Sequence, residues 1–333
     1  MANPNLVLEK VGYKIEVAPG TKIITAAGDT TYAFGEDLPG GGDRLQPSIK
    51  RSKDVAHSYD SREAASSTAV IDPSTMSAEI KGIIPTILTP WYLLLGDGTD
   101  AATDTMQVLD TTLKKAITLH GEHNDGTTPF TRDLVGAYLN DMSWHMEVAK
   151  PLVIDSMKFQ GWSIQDEDST VPSIFLTDDP TLDQATLPFI GIDEIKWDGD
   201  TLSRVYRVDS NSRHDITSTI VTGAGANAAR KVYPGKFGNR TTTGHKFFMS
   251  AVLDTHLQYD DLRDGNQVNV TFKSKKADAS DYVKFLYGGV NILGITKPIP
   301  RGGGYSERII TCEANTLSLE FDDGVTTFAT MYP

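Results

Sequence analysis

The sequence predicts a mainly β fold: a β-sandwich or half-barrel of antiparallel strands, with one or two short flanking helices and long extended loops. Apolar residues alternate with polar ones along many short segments, and complete helix start and stop signals are rare. The chain has 333 residues, of which 39% are hydrophobic, so it can bury the core of one elaborated domain or of two.

Period-two alternation identifies the predicted strands, because successive side chains of a strand point to opposite faces. The apolar positions are Met142, Trp144, Met146 and Val148; Phe247, Met249, Ala251 and Leu253; Val268, Val270 and Phe272; Ile310, Cys312 and Ala314; and Leu317, Leu319 and Phe321. The phase changes at Asn315, between the last two sets. The Asp323-Gly324 pair precedes a short apolar segment, 325–328, and is typical of a hairpin turn. The C-terminal part is therefore predicted to be a β-meander.

A glycine marks a second change of phase. Met157 and Phe159 occupy odd positions, whereas Trp162 and Ile164 occupy even ones, and Gly161 lies between them. Glycine inside a strand pattern often marks a bulge or a bend. We therefore expect the strand to be interrupted at Gly161.

Two short helices are predicted from their end signals. The first has Thr89 as its N-cap, Pro90 as its first helical residue and Gly96 as its stop. The second runs over 281–287 and is stopped by Gly288. Both are expected to brace a sheet.

Three segments without periodicity are predicted to be loops. Residues 26–47 are rich in Gly, Asp and Pro, and with the residues up to Ala69 they are interpreted as a long loop or an extended arm. Residues 222–240 and 300–304 are the other two. Long loops in compact domains are usually functional or disordered.

Composition excludes several classes of protein. The net charge of −13 argues against a protein that binds nucleic acid by affinity, because such binding needs a basic face. Cys312 is the single cysteine, so the chain forms no internal disulfide and is expected to assemble in a reducing compartment. No apolar run approaches the ~20 residues of a membrane span, and the first ten residues do not resemble a signal peptide.

The motifs that resemble sites have simpler interpretations. His120 and His123 flank a Gly-Glu pair, but a turn between strands explains the segment, and no third metal ligand is evident. Residues 223–225 superficially resemble a dinucleotide-binding loop, yet the turn-like segment 232–235 follows where a crossover helix is needed. We therefore predict no metal and no cofactor.

No catalytic motif of a hydrolase, a P-loop or a zinc protease is present, and the seven histidines are scattered. Three acidic clusters remain. Paired carboxylates can serve acid–base catalysis, but solvated turns are the preferred interpretation of these clusters. They are Asp166-Glu167-Asp168, Asp178-Asp179 and Asp260-Asp261.

Three stretches resemble the tail tube, or major tail, proteins of long-tailed bacteriophages. Residues 76–96 are similar to that family's strand followed by a short helix with a Leu-rich, Gly-stopped end. Residues 140–148 with 155–162 resemble its paired strands, and residues 192–199, 246–253 and 281–288 resemble a second pass of strand, loop, strand and brace helix. The resemblance extends from Ala69 to the C-terminus and lies in the order of strands and turns.

The resemblance implies a division of the chain. Residues 1–69 are then an N-terminal strand and extended arm, and residues 70–333 are a tail-tube-like β domain. This domain has two possible passes, 70–187 and 188–333.

The resemblance also implies a structural virion protein and no enzyme. Copies of the chain would join their strands into one continuous β-barrel around a channel, as a hexameric ring or a trimeric pseudo-hexamer, and the rings would stack into a tube. Its further partners would be tape measure and terminator proteins and transiently passing double-stranded DNA, without a membrane. The protein would be assembled in the host cytoplasm and reside in the virion tail.

An acidic channel lining would keep DNA sliding without adhesion. The candidates are Asp166, Glu167, Asp168, Asp178 and Asp179, for which exterior solvated turns are the alternative. Two other functions stay open: a capsid decoration or receptor-binding protein, and a β-sandwich hydrolase that uses scattered carboxylates or histidines.

Overall fold

The structure is a computed structural model that describes most of the chain. The described residues are 7–17, 34, 36–37, 48–57, 64–85, 88–102, 105–110, 115–124, 129–161, 163–167, 189–214, 216–221, 231–237, 245–252, 257–276, 281–296 and 307–322. Within them, strands dominate, and two short helices are present: α1 (Thr89–Leu95) and α2 (Leu257–Asp264). The predicted fold class, mainly antiparallel β with one or two short helices, is confirmed.

The strands are numbered along the chain. They are β1 (Val7–Ile15), β2 (Glu36–Asp37), β3 (Ser48–His57), β4 (Ala64–Ile84), β5 (Gly96–Ala102), β6 (Thr105–Asp110), β7 (Ile117–Asn124), β8 (Pro129–Glu147), β9 (Val153–Gln160), β10 (Ser163–Glu167), β11 (Phe189–Trp197), β12 (Asp200–Thr201), β13 (Val205–Arg213), β14 (Ile216–Val221), β15 (Lys231–Phe237), β16 (His245–Val252), β17 (Val268–Lys276), β18 (Tyr282–Thr296) and β19 (Glu307–Asp322).

Seventeen of the described strands form one large antiparallel sheet, which does not close into a barrel, and β14 pairs with β15 in a separate hairpin. The long strand β8 organises the sheet. Its first half pairs with β7 and β10, and its second half pairs with β9 and β13. The sheet continues from β13 through β16, β19, β18 and β17 to β11. On the other side of β8, strand β9 pairs with β4, which pairs with β3.

The alternation predicted for the strands is confirmed along most of its length. Met142, Trp144 and Met146 are buried in β8, and the apolar positions of β17 and of the described part of β16 are also buried or half-buried. Val148 is the exception: β8 ends at Glu147, and the Val148 side chain is 49% exposed. Residues 253 and 323–328 lie outside the described residues.

Helix α1 lies in the core. All its residues are buried, and the ring of Trp91 contacts those of Trp144 and Phe285, with centroids 6.0 and 5.5 Å apart. Gly96 ends the helix in the left-handed region, as predicted, at φ 102°. The predicted cap is wrong by one residue, because Leu88 occupies the N-cap position and Thr89 begins the helix. The helix packs against strands of the sheet, as expected of a brace, and it is buried along its whole length.

The change of phase at Asn315 is confirmed within one continuous strand. In β19, burial shifts from even to odd positions across Asn315 and Thr316, both of which are exposed. In β18, which is antiparallel to β19, burial shifts from odd to even positions at Gly288 and Gly289, next to the same site. The core therefore meets opposite faces of the two halves of this hairpin, as in strands that pass from one packed layer to another.

The interruption predicted at Gly161 is also confirmed. Strand β9 ends at Gln160 and β10 begins at Ser163. A Cβ atom at Gly161 would lie 2.4 Å from Cδ1 of Leu134, which is fully buried. The close approach of the β8 side chain explains why glycine is required here.

Several predictions of local structure are wrong. Residues 281–287 are not a helix but the start of β18, because Val283, Phe285 and Tyr287 are buried at alternate positions. Helix α2 was not predicted. Residues 231–237, within the predicted loop 222–240, form β15. Residues 120–124, predicted to lie in a turn, belong to β7 between β1 and β8.

The predicted arm contains paired strands. Strands β2 and β3 and the first residues of β4 fall within 26–69, so this segment is not a loop throughout. The proposed boundary at residues 69 and 70 lies inside β4. The predicted loop 300–304 lies outside the described residues. No helix in the described part of the chain is long and apolar enough to cross a membrane.

Candidate assembly surface

One face of the sheet is mostly polar across six adjacent strands, with Phe248 and Ile309 as exposed apolar residues on it. We call it the polar face, and it is formed by the outward residues of β4, β9, β8, β13, β16 and the first half of β19. The alternate residues of the same strands fill the core, so alternation with a period of two, interrupted at a few register shifts, creates this surface. Its charged residues are Glu79, Lys81, Asp141, Glu147, Asp155, Lys158, Arg207, Asp209, Arg213, Lys246 and Glu313.

Several charged side chains of the polar face form hydrogen bonds or ion pairs with side chains on neighbouring strands. Lys158 Nζ lies 3.3 Å from Oδ2 of Asp141, and Asn211 Nδ2 donates to Oδ1 of the same carboxylate at 3.0 Å. These contacts join β9, β8 and β13. On β4, the Glu79 carboxylate accepts a hydrogen bond from the Ser156 hydroxyl of β9 at 2.8 Å.

A second group of charges lies at the end of β8. Arg207 donates to the Asp209 carboxylate at 2.6 Å and lies 3.9 Å from the carboxylate of Glu147. Lys150 lies 2.7 Å from the other oxygen of Glu147. His145 Nδ1 lies 2.9 Å from the Asp155 carboxylate. Most charged groups at the β4, β9, β8 and β13 part of this face are therefore matched by neighbours of opposite sign.

These contacts shift the ionisation of the groups. Burial raises the pKa of the Glu79 carboxyl, but the hydrogen bonds from Ser156 and Lys81 and the charges of Lys81 and Lys158 outweigh it, so its pKa is lowered. The hydrogen bond from Lys150 lowers the pKa of Glu147. The hydrogen bonds to Asp209 raise the pKa of Arg207. The pairs thus keep both signs of charge fixed at neutral pH.

The polar face is almost electrically balanced. It carries the six carboxylates and five Lys or Arg side chains named above, a difference of one charge, whereas the whole chain has a net charge of −13. Among the described side chains, this face therefore carries little of the acidic excess. A balanced surface neither attracts nor strongly repels a polyanion.

The predicted channel-lining acids are not on the polar face where the structure describes them. Asp166 and Glu167 belong to β10 and pair in register with Arg132 and Thr131, in the first half of β8. Asp168, Asp178 and Asp179 lie outside the described residues. The placement of these five residues at the lining of a channel stays a prediction.

The histidine segment forms a buried pair instead of a metal centre. His120 of β7 lies opposite Asp133 of β8, and its Nδ1 contacts the fully buried carboxylate. His123 is farther along β7, opposite Phe130. Across the ranges that the structure describes, no group of three or more His, Cys, Asp or Glu residues is placed to hold a metal ion.

The acidic pair Asp260-Asp261 lies on helix α2. The carboxylate of Asp261 accepts a hydrogen bond from the Trp197 indole of β11 at 2.8 Å, so it attaches the helix to the sheet. Sequence reasoning missed this contact because Trp197 and Asp261 are distant in the chain. This carboxylate has a structural role.

A two-stranded ribbon extends beyond the sheet. Strand β4 pairs with β9 only over residues 77–83, whereas its earlier residues, from Ala64 to Asp72, pair with β3. Among the described strands, no third strand pairs with this first part of β4 or with β3. We call β3 and residues 64–72 of β4 the ribbon. Within the described part of the chain, its outer backbone edges carry no further strand, and unpaired edges of this kind can pair with another chain.

No protein-family model matches the chain, and no curated protein matches it either.

Proposed function

We propose that the protein is a structural subunit of a viral tail tube, which assembles with copies of itself into stacked rings around a channel for viral DNA. The observation that carries this proposal is the ribbon, in which β3 and residues 64–72 of β4 pair only with each other among the described strands. The resemblance to phage tail tube proteins rests on the order of strands, and the ribbon adds a physical reason for the subunit to associate with partners.

The ribbon favours assembly because isolated two-stranded ribbons are marginally stable in water. A third strand, or a packing surface, from a neighbouring copy would complete it. The same copy would cover edges that otherwise invite uncontrolled aggregation. Because identical subunits form closed rings or open helices through repeated contacts, one such arm per subunit is sufficient to connect a ring to the next.

The polar face supports a role as the wall of the channel. Its Lys and Arg side chains are matched by carboxylates, so they would displace few counterions from DNA and would hold it weakly. Additional acidic groups within ~8 Å of the path, such as those proposed around Asp166, would repel the polyanion. In this arrangement the open sheet of one subunit would join the sheets of its neighbours to form a closed barrel.

The proposal includes a hexameric ring, with a trimeric pseudo-hexamer as the alternative. Tape measure and terminator proteins would be further partners inside and at the end of the tube. The protein would be assembled in the host cytoplasm and would reside in the virion tail. Its role would be structural, without catalysis.

Removing the ribbon tests the proposal. In one variant, residues 50–72 are replaced by a short Gly-Ser linker, which deletes the ribbon and leaves β4 paired with β9. In the matched control, only residues 58–63, between β3 and β4, are replaced by Gly and Ser at equal length. We expect tubes from the wild type and the control in negative-stain micrographs, and none from the deletion variant.

The emission of the buried Trp91 and Trp144 reports whether each variant is folded. A folded deletion variant that still forms tubes would show that the ribbon is not the assembly element. Binding of the wild-type protein to capsids or glycans, without self-association, would favour a decoration or receptor-binding protein.

A further inference from the structure

Strand β18 extends beyond the strand that pairs with it on one side. Pairing between β17 and β18 begins at Val268, which lies opposite Val290, whereas β18 continues to Thr296. Residues 291–296 pair with β19 on their other side. Among the described strands, none pairs with residues 291–296 on the side that β17 leaves open. We call these six residues the β18 edge.

The sequence of the β18 edge favours strand pairing. No charged residue and no proline occurs between Lys284 and Lys297. Ile292 and Ile295 pack against the core, and Leu293 is 52% exposed. Edge strands are usually protected by charges, by proline or by a covering element, and a register shift at Leu293 is the only interruption of the pairing with β19 here. Protection of this edge therefore depends on another element.

Helix α2 lies beside the β18 edge. It contacts β18, and the chain leads from it directly into β17. Just before β17, the Gln267 side chain donates a hydrogen bond to Oδ1 of Asn291 at 3.2 Å. Because β17 and β18 are antiparallel, the residues that precede Gln267 lie beside those that follow Asn291. The helix therefore occupies the place in which a longer β17 would pair with the β18 edge.

The attachment of α2 depends on a contact with a buried tryptophan. Among the described side chains of α2, Asp261 bonds to the sheet, and it accepts a hydrogen bond from Nε1 of Trp197 at 2.8 Å. Arg263 instead forms ion pairs with Asp260 and Asp264 of the same helix, at 3.2 and 2.8 Å. A helix of eight residues is marginally stable by itself, so α2 is held in place by its contacts with the sheet.

We propose that α2 is a removable cover of the β18 edge, and that the strand which replaces it belongs to a second copy of the chain. The identity of the second copy rests on the proposed function, whereas the cover itself does not. A strand forms backbone hydrogen bonds along an open edge that a helix cannot form, and these bonds would offset the lost contacts of α2. The bond between Asp261 and Trp197 keeps the edge covered in the isolated subunit.

Hydrogen exchange of dilute, unassembled protein tests the cover. Asp261→Ala removes the acceptor of the Trp197 indole, so the amides of α2 and of the β18 edge should exchange at least about tenfold faster than in the wild type. Unchanged protection of β8 shows that the variant is folded. Equal exchange of the β18 edge in the folded variant and in the wild type would overturn the proposal.

Two further variants serve as matched controls for Asp261→Ala. Asp261→Asn removes the charge but keeps an acceptor oxygen for the indole of Trp197. Asp260→Ala removes the same charge from α2 at a residue that pairs with Arg263 instead. Both should exchange like the wild type. Faster exchange of the β18 edge in Asp260→Ala, equal to that in Asp261→Ala, would overturn the role of the bond to Trp197.

Wild-type protein supplies a second measurement, which requires no variant to fold. As the protein concentration rises and copies associate, the amides of the β18 edge should become more protected and those of α2 less protected. Sedimentation of the same samples reports the association. Protection of α2 that stays constant in associated protein would overturn its removal.

Leu293→Lys tests the β18 edge as the pairing site. A lysine on an edge strand opposes strand pairing, so this variant should require at least about tenfold more protein to associate. Ile309→Lys is the matched control, because Ile309 is 38% exposed but β19 is flanked there by β16 and β18. It should associate like the wild type.

The outcomes separate this inference from the proposed function. Tubes that form equally well from Leu293→Lys and from the wild type would overturn pairing at the β18 edge and leave the tube proposal intact. A wild type that does not associate at any concentration would contradict the tube and the second copy, and the exchange of Asp261→Ala would still decide whether α2 is a cover.

Discussion

Individual carboxylates on the polar face contribute to the way in which the stability of the folded protein responds to acid. Glu79 and Glu147 have pKa values below the ordinary 4.5. Since the folded state favours their ionised forms, each contributes stability that is complete above about pH 4.5 and is lost as the pH falls through the folded pKa. The pairs are partly exposed, so each contribution is small.

This account predicts the behaviour of the Glu79→Gln/Glu147→Gln variant. When the pH is lowered from about 5 to about 3, the melting temperature of the wild type should fall further than that of the variant, because the variant lacks these two carboxylates. Thermal unfolding followed by circular dichroism measures both slopes. An identical loss in the two proteins would contradict the role assigned to these pairs.

Gly161 is a position at which a single methyl group should be costly. In Gly161→Ala the new Cβ would lie 2.4 Å from Leu134 Cδ1, and Leu134 has no exposed surface into which it can move. Overpacking of this kind costs about 1–3 kcal/mol. Denaturant unfolding of the variant measures the loss in the free energy of unfolding.

Gly294→Ala is the matched control for Gly161→Ala. Gly294 lies in β18, and none of the described atoms comes within 4 Å of the position of a new Cβ. Its stability should change by less than about 0.5 kcal/mol. Equal losses in the two variants would show that contact with Leu134 is not the cause.

At the scale of elements, helix α1 packs against residues of both β8 and β18 in the core. Its Trp91 ring contacts Trp144 of β8 and Phe285 of β18, which are themselves 6.0 Å apart. Trp91→Ala should lower the free energy of unfolding by about 3–5 kcal/mol, because it removes a fully buried side chain and leaves a cavity. Equilibrium unfolding in denaturant measures the change.

Val148→Ala provides the surface comparison for Trp91→Ala. This side chain is 49% exposed beyond the end of β8, and its truncation should change stability by less than about 1 kcal/mol. A comparably small loss in Trp91→Ala would mean that α1 is not an integral part of the core.

The elements that sequence patterns predicted are those whose signals are local. Alternation identified the last third of β8, the first part of β17 and most of β19, and Pro90 with Gly96 identified α1. The start of β18 was mistaken for a helix because Gly288 resembles a helix stop, although the residues before it alternate. Helix α2 was missed because its sequence is mostly polar and its attachment depends on a contact between Trp197 and Asp261.

The polar face shows where prediction from sequence ends. Alternation correctly assigns residues such as His145 to a polar side of a strand, but the partner of each charge depends on strand register. Asp141 meets Lys158 and Asn211 on two different neighbours, and Ser156 meets Glu79 across a separation of 77 residues. Register is set by the packing of the whole sheet, which local patterns do not contain.

At the scale of the whole molecule, the chain combines an open sheet, a nearly neutral polar face and a ribbon without a described third strand. Each feature alone is common in β proteins. Together they favour a subunit whose sheet is completed by other copies, because closure between subunits would remove unpaired edges and enclose the polar face.

Electron microscopy of the purified full-length protein tests self-assembly most directly. The account predicts rings and tubes with a central lumen in negative stain, which should become more abundant as the protein concentration rises. Sedimentation of the same samples should show species much larger than the 36.2 kDa chain. A protein that sediments as a monomer at every concentration, and forms neither rings nor tubes, would contradict the account.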